Sequence, residues 1–264
     1  MTTSTTPILV TGGTGTLGGH VVPLLRAAGH EVRILSRHSR ASVSDPGIEY
    51  VAVDLLTGAG IEPALAGVDT VLHLAGANKG DDRATRNLVR AAKRAGVRHL
   101  VHISVIGADT MPLGWFRTQL AAEREVTESG IAWTMLRAAQ FHDLVLTMVE
   151  KMAKLPVVPV PGGLRFQPVD SREVAARLVE LALGDPAGLV PDLAGPTVYG
   201  LGDLVRGYLK AVGKRRPQLP LPMPGKTGRA YRAGDNLSLD SADTGKRTWE
   251  QFLAERVGGS GSWG

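Results

Sequence analysis

The chain has 264 residues, carries 30 Lys and Arg against 25 Asp and Glu for a formal charge of +5, and contains 33 glycines and no cysteine. Without cysteine there are no disulfides, no thiolate metal sites and no cysteine nucleophile. No apolar run reaches the roughly 18 residues that a membrane-spanning helix needs, and a chain of this length fits one α/β domain with added substrate-side elements.

Pro7 to Arg37 reads as strand, phosphate loop, helix and second strand. Ile8, Leu9 and Val10 form a short apolar run of the kind buried on both faces of a parallel sheet. Thr11 to Gly19 then brings five glycines in nine residues. Gly13, Gly15 and Gly18 satisfy G-x-G-x-x-G, and Gly12, Gly15 and Gly18 satisfy G-x-x-G-x-x-G. Either way, a loop without Cβ atoms (Gly12, Gly13, Thr14, Gly15, Thr16, Leu17, Gly18) lets backbone N–H groups approach a pyrophosphate at the positive end of a helix. Val21, Val22, Leu24 and Leu25 continue the helix, Gly29 stops it, and Val32, Ile34 and Leu35 begin the second strand.

That strand selects the dinucleotide. A free ribose 2′-hydroxyl calls for a carboxylate at the strand's end, whereas a 2′-phosphate calls for guanidinium groups. The sequence there is Ser36-Arg37-His38-Ser39-Arg40, with no acid between Val32 and Ser44. This favours NADP(H), with Arg37 as the main clamp, Ser36 as a hydroxyl donor and Arg40 as a second cation; the alternative is a solvated basic loop.

Strand and helix go on alternating. Glu49 to Val53 reads as a third strand, followed by Asp54 and Leu55, where the carboxylate either receives an adenine amino group or caps a turn. Thr70 to Leu74 is a fourth strand ending in Ala75-Gly76-Ala77-Asn78, whose small residues leave room for ribose and nicotinamide. Asp82 to Ala95 is a helix stopped by Gly96, Val97 to Ser104 a fifth strand, Leu120 to Glu128 a helix stopped at Gly130, and Ile131 to Arg137 a sixth strand. The pattern predicts a Rossmann-type, doubly wound parallel sheet.

TGGTGTLG, SR at the second strand, VDL, HLAG, AAKRAGVRHLVHIS, LAAEREVTESGIAWTMLRAAQF and FQPVDSREVAARLVELAL occur in that order. Together they resemble the atypical short-chain dehydrogenase/reductases of the NmrA-like, NAD(P)H-binding group over nearly the whole chain. The resemblance implies a Rossmann core over 1–155, substrate-side elements over 156–257 with one helix returning to the core, and a flexible tail over 258–264. Pro156 to Phe166 reads as an extended rim, Ser171 to Leu183 as a helix capped by Asp170 or Ser171, and Thr197 to Leu201 as a strand leading into a helix over Asp203 to Val212. Pro217 to Pro224 is too rich in proline for a helix, and the last helix is expected over Lys246 to Arg256.

The chain departs from the wider superfamily at the proton relay. Those reductases pair a Tyr with a Lys four residues later, behind a Ser on the fifth strand. Ser104 keeps the Ser, but alignment on LAAE puts Trp115 at the Tyr position and Gln119 at the Lys position. Four residues after Tyr50, Tyr199, Tyr208 and Tyr231 stand Asp54, Asp203, Val212 and Asp235, so no displaced pair exists. Ser104, Gln119 and His142 are therefore the candidate catalytic groups, with Ser104 and Gln119 also touching the cofactor. Leu74, Ala75 and Gly76 flank the cofactor, and Trp115, Arg137, Gln140 and Phe141 line the substrate side. Arg137 binds a carboxylate or the sheet's rim, and His142 either titrates in the pocket or is a helix-capping or surface histidine next to Asp143.

The reading is an NADP(H)-dependent oxidoreductase passing hydride to a quinone or conjugated carbonyl, an electrophile that needs little acid help. Its rival is a noncatalytic NADP(H)-binding redox sensor. The expected partner is a small-molecule substrate. Basic residues are scattered apart from Lys214, Arg215 and Arg216, so no nucleic-acid partner is expected. No metal or membrane is expected either, and the polar start MTTSTTP suggests a cytoplasmic protein; its oligomeric state, monomer or homodimer, is left open.

Overall fold

A computed structural model describes residues 6–37, 45–76, 80–239 and 242–258. The expected roles of Arg40 and Asn78 fall outside these residues. The first part of the chain forms β1 (Ile8–Thr11), α1 (Gly18–Ala27), β2 (Val32–Ser36), β3 (Ile48–Ala52), α2 (Ile61–Ala64), β4 (Thr70–His73), α3 (Asp81–Ala95), β5 (His99–Val105), α4 (Gly114–Thr127) and β6 (Ala132–Ala138). There follow α5 (His142–Met152), β7 (Val158–Pro161), β8 (Arg165–Phe166), α6 (Ser171–Leu183), β9 (Gly188–Leu189) and β10 (Leu193–Ala194). The last elements are β11 (Tyr199–Gly200), α7 (Leu201–Ala211), β12 (Gln218–Leu221), α8 (Gly225–Ala233), β13 (Asp243–Thr244) and α9 (Trp249–Gly258).

The chain divides into two compact units. Unit 1 comprises residues 1–104, 114–136 and 174–190, and unit 2 comprises residues 105–113, 137–173 and 191–264. The chain thus passes between the units more than once.

Unit 1 holds the strand order β6-β5-β4-β1-β2-β3, with β9 beside β6. β1 runs parallel to β2 and β4, β2 to β3, and β4 to β5. The chain builds outward from β1 to β3 and then returns to place β4 on the other side of β1. This reversal makes the β1/β4 boundary the switch point at which doubly wound sheets open a crevice beyond their carboxyl ends. Leu9, Val71 and Leu100 of three strands, with Leu88 and Ala92 of α3, Ile61 of α2 and Val126 of α4, form a core from which water is excluded. Each such Leu or Ile contributes about 1.5–3 kcal/mol of transfer free energy.

Two helices of unit 1 end as their glycines predict. Gly29, at φ +86°, lets its own N–H reach Arg26 O while the His30 N–H reaches Leu25 O. Gly96, at φ +76°, repeats the pattern with Lys93 O and with Val97 N–H on Ala92 O. Both are Schellman endings, which a residue with a Cβ adopts only under strain. Asp81 and Asp82 in the first turn of α3, and Lys93 and Arg94 in its last, match the helix dipole.

In unit 2, β10 joins Ala138 of β6 through Leu193, and β13 joins β10, both parallel. Two small sheets, antiparallel β11-β8 and parallel β12-β7, complete the strands among the described residues. Helices α5, α7 and α9 pack around Val149, Leu204, Val205, Trp249, Phe252 and Leu253. The indole N–H of Trp249 donates to Leu204 O at 3.1 Å, and a Cβ at Gly207 would lie 3.1 Å from that nitrogen.

The structure moves some predicted boundaries. α4 starts at Gly114 rather than Leu120, so Trp115 and Gln119 are helical. The last helix starts at Trp249 rather than Lys246, because Thr248 Oγ1 accepts the Gln251 N–H while Gln251 Oε1 accepts the Thr248 N–H, a reciprocal cap. α8 was not predicted: GKTGRAYRA has little apolar periodicity, and the helix depends on Gly228, where a Cβ would come within 1.9 Å of Met223 O.

Candidate functional site

The glycines after β1 do different jobs. Gly12 has φ +69°, and a Cβ on it would lie 2.8 Å from Ala75 N and from Leu74 C. It is the residue that lets the loops after β1 and β4 meet at the switch point. A Cβ on Gly18 would lie 2.3 Å from Gly12 O and 2.4 Å from Gly13 Cα, so the first turn of α1 rests directly on the loop. Gly13 is crowded only by the Ile34 side chain, at 2.9 Å. Backbone contacts thus hold Gly12 and Gly18 as glycine, while Gly13 meets only a side chain.

Gly15 differs from its neighbours. The nearest heavy atom to its Cβ would be Gly12 O at 3.4 Å, an ordinary contact, so the protein's own packing does not require glycine there. Thr14, Gly15 and Thr16 are exposed, whereas Leu17 and Gly18 are buried. α1 behind them has no side-chain cap at Leu17 and no acid in its first turn. This is a cradle that a side chain would fill and an anion fits: bare backbone, the positive end of a helix and no competing carboxylate. The residues present thus suit a dinucleotide's pyrophosphate.

The β4 end of the cradle is fixed by Thr11, whose Oγ1 accepts the N–H groups of Leu74 and Ala75, each at 3.2 Å. Gly76 follows, exposed. On the β2 side, Ser36 ends the strand and Arg37 is exposed just beyond it. The Asp54 carboxylate accepts the Leu56 N–H at 2.9 Å, and Thr57 Oγ1 donates to Asp54 O, so Asp54 and Leu55 shape the turn after β3.

Trp115, Gln119 and Glu123 recur at four-residue intervals on one face of α4. Gln119 is buried, and its Nε2 donates to Asp81 Oδ2 at 2.6 Å. A Cβ on Gly76 would lie 4.0 Å from that same oxygen, which sets the Gln119–Asp81 pair beside the end of β4. Ser104 is buried near the end of β5, and its hydroxyl donates to Glu123 Oε1 at 2.6 Å. Trp115 remains 39% exposed, edge-on to Phe116. Sequence reasoning did not single out Asp81 or Glu123. The signal for Glu123 was its place four residues after Gln119 on the same face of α4; the signal for Asp81 was a carboxylate opening α3.

The remaining candidates belong to unit 2. Arg137 pairs with Asp109 at 2.9 Å. Gln140 O accepts the Val169 N–H, Phe141 bridges to Val169, and the buried Gln140 Oε1 has no hydrogen-bond partner. His142 is placed differently from either expectation. It is fully buried, neither surface cap nor open pocket group, and packs against Phe252 and Trp249 with ring centroids 5.1 and 5.8 Å away. Burial lowers its pKa to about 4, against the opposing pull of Asp170 and Asp143. It is a neutral core aromatic at physiological pH.

Among the described residues, no helix is long and apolar enough to cross a membrane, and no cluster of three or more His, Asp or Glu could hold a metal ion.

Comparison with known proteins matches residues 12–182 to the NAD(P)H-binding family. A quinone oxidoreductase of Escherichia coli is 29% identical over 79% of this chain and 75% of its own length. A (4-alkanoyl-5-oxo-2,5-dihydrofuran-3-yl)methyl phosphate reductase of Streptomyces griseus is 35% identical over 67% of this chain and 63% of its own length. Among solved structures, an NADPH-dependent quinone oxidoreductase of E. coli complexed with NADPH superposes with a TM-score of 0.81 at 21% identity, covering 94% of this chain and 99% of that one.

Proposed function

The chain belongs to the NAD(P)H-binding family, and we propose that it draws on NADPH to reduce a small planar electrophile, a quinone or a conjugated carbonyl. It is an NAD(P)H-dependent oxidoreductase, in keeping with the reductases it resembles. The observation that carries the reading is the cradle at Gly15, open where Gly12, Gly13 and Gly18 are closed by the protein's own packing.

Gly12, Gly15 and Gly18 would hold the pyrophosphate, with Thr14 and Thr16 at the loop's exposed tip. Leu74, Ala75 and Gly76 would border the nicotinamide half. When bound, the cofactor supplies the hydride. Arg37 beyond β2, in a stretch without carboxylates, supports the 2′-phosphorylated form, since a guanidinium attracts the phosphate that an acid would repel.

The substrate class follows from α4. Trp115 offers an indole face but no useful acid, and Gln119 carries no charge, so the protein lacks a strong proton donor where related enzymes place one. An acceptor that spreads its own negative charge tolerates this, and a flat conjugated one can stack on Trp115. Two of the relatives, a quinone oxidoreductase and a (4-alkanoyl-5-oxo-2,5-dihydrofuran-3-yl)methyl phosphate reductase, support this class.

The test is to titrate NADPH and NADH by calorimetry and to follow NADPH oxidation with quinones, enones and simple aldehydes. Tight NADPH binding with turnover of quinones or enones in preference to aldehydes is expected. Binding without turnover of any acceptor would favour a redox sensor instead.

A further inference from the structure

The small sheet of β7 and β12 in unit 2 has two unlike faces. In this parallel pair Val158 stands beside Gln218, and Pro159 beside Leu219. Val158 is fully buried in the core shared by α5, α7 and α9, and Val160 packs against that core. The Gln218 amide donates to Gly202 O of α7 at 3.0 Å, and its oxygen accepts from Arg206. These residues face inward, and their neighbours one step along face out: Val157 is 44% exposed, Leu219 51% and Leu221 38%, with Leu155 and Pro217 exposed beside them. We propose that this outer face docks unit 2 onto a membrane surface of anionic lipids.

Charge selects the partner. Residues 151–169 and 204–234 contain no Asp or Glu. Because the strands are parallel, Lys154 before β7 and Lys214, Arg215 and Arg216 before β12 gather at the amino end that the strands share. All four are exposed, and among the described residues none of them pairs with a carboxylate. Of the acids just outside these stretches, Asp203 is paired with Arg206, Asp170 with Arg172, and Glu150 lies toward Tyr208 of α7. An apolar face bordered by unpaired cations matches the boundary of an anionic bilayer, where aliphatic side chains enter the acyl layer and Lys or Arg meets headgroup phosphates. The expectation of no membrane came from the want of a spanning run, and lying on a surface needs none.

Other occupants fit this face less well. The N–H groups of Val158 and Gly162 go to Pro217 O and Leu221 O, so Pro159 and Pro161, at the alternate positions, stand at the outer edge of β7. By the same alternation Pro220 stands at the outer edge of β12. Proline has no N–H to offer, which makes both edges poor templates for a strand added by another protein. A nucleic acid would use the cations and leave the aliphatic side chains bare, and residues 155–161 and 217–221 hold no aromatic ring on which a base could stack. A membrane is also where lipid-soluble quinones reside, so docking there would bring a reductase of the proposed kind to its acceptor. The docking itself does not rest on that reading.

The experiment is co-sedimentation of the full chain with vesicles of phosphatidylcholine, alone or mixed with phosphatidylglycerol, at low and high salt. Partition onto the anionic vesicles should exceed that onto the neutral ones by about tenfold or more and fall as salt rises. Lys214→Gln, Arg215→Gln and Arg216→Gln together should weaken it by about fivefold for each cation removed. Val157→Ser with Leu219→Ser, which leaves the charge unchanged, should weaken it by about tenfold. Both sets of side chains are exposed, so Tm and NADPH affinity should match the wild type. Equal sedimentation with the two kinds of vesicle, or full binding by the serine variant, would overturn the proposal. So would a single-stranded oligonucleotide that binds as tightly as the vesicles and is indifferent to the serine changes, since the cations would then serve a nucleic acid. Should the triple variant fail to fold, the serine variant and the salt dependence of the wild type decide the matter.

Discussion

Thr11 and His73 stand opposite each other in the register of β1 and β4, with Thr11 Oγ1 2.6 Å from His73 Nδ1. The hydroxyl already accepts the N–H groups of Leu74 and Ala75, so its proton goes to the imidazole. Nδ1 is then the acceptor, and Nε2–H donates to Thr85 Oγ1 at 2.9 Å. This fixes the tautomer and ties the switch point to α3 through one continuous chain of donors. Thr11→Val keeps the shape and the Leu74 N–H bond to Thr11 O, but removes the partner of the Ala75 N–H and of the buried His73 Nδ1. It should cost about 1–3 kcal/mol in urea denaturation, with Thr11→Ser close to wild type.

The loop glycines separate stability from binding. Gly18→Ala places a Cβ against Gly12 O and Gly13 Cα at under 2.5 Å, which backbone movement alone can relieve. A loss of about 1–3 kcal/mol and a lower Tm are expected. Gly15→Ala meets no such contact, so its Tm should stay within a degree or two of wild type. Its NADPH affinity should fall at least tenfold by calorimetry, because the methyl occupies the space where the backbone approaches pyrophosphate.

Acid should destabilise the protein over a defined range. His102 and His142 are each lowered by burial to about pKa 4, against a reference near 6.5. The unfolded chain therefore takes up protons below pH 6.5 that the folded chain refuses until about pH 4, and stability declines as pH falls through that window. Each histidine contributes roughly 3 kcal/mol across it. Asp170, lowered by Arg172 and Arg247 despite its burial, adds a further loss below its ordinary range. Burial also lowers His73 and His99, which add to the same slope. Denaturant midpoints from pH 8 to pH 4 test this, and His142→Phe, which retains a ring beside Trp249 and Phe252, should make the slope between pH 6.5 and pH 4 shallower without abolishing it.

Cofactor choice should respond to Arg37. Arg37→Asp puts a carboxylate where the 2′-phosphate would lie and should weaken NADPH binding about tenfold or more, near 1.4 kcal/mol, while sparing NADH. Equal affinities before and after would remove Arg37 from the site.

Much of unit 1 was legible because its signals are local. Gly29 and Gly96 end their helices through a backbone conformation that glycine adopts freely, and the Val-, Ile- and Leu-rich runs announce strands buried on both faces. α8 was not legible, since its formation depends on the close approach of Gly228 to Met223 rather than on a periodic apolar face. His142 was misread for the same reason: nothing in Gln140-Phe141-His142-Asp143 says that Trp249 and Phe252 will enclose the ring.

By itself the sequence determined the fold class, the dinucleotide loop and the absence of a Tyr/Lys relay, because each depends on which atoms are present at a fixed spacing: a missing Cβ, a missing phenol, a missing ammonium. Only the tertiary structure decided which glycine is open to a ligand, which carboxylate stands behind Ser104, and that Asp81 receives Gln119. Those depend on contacts between residues 19 and 38 positions apart, brought together by the winding of strands around β1, which no local pattern encodes.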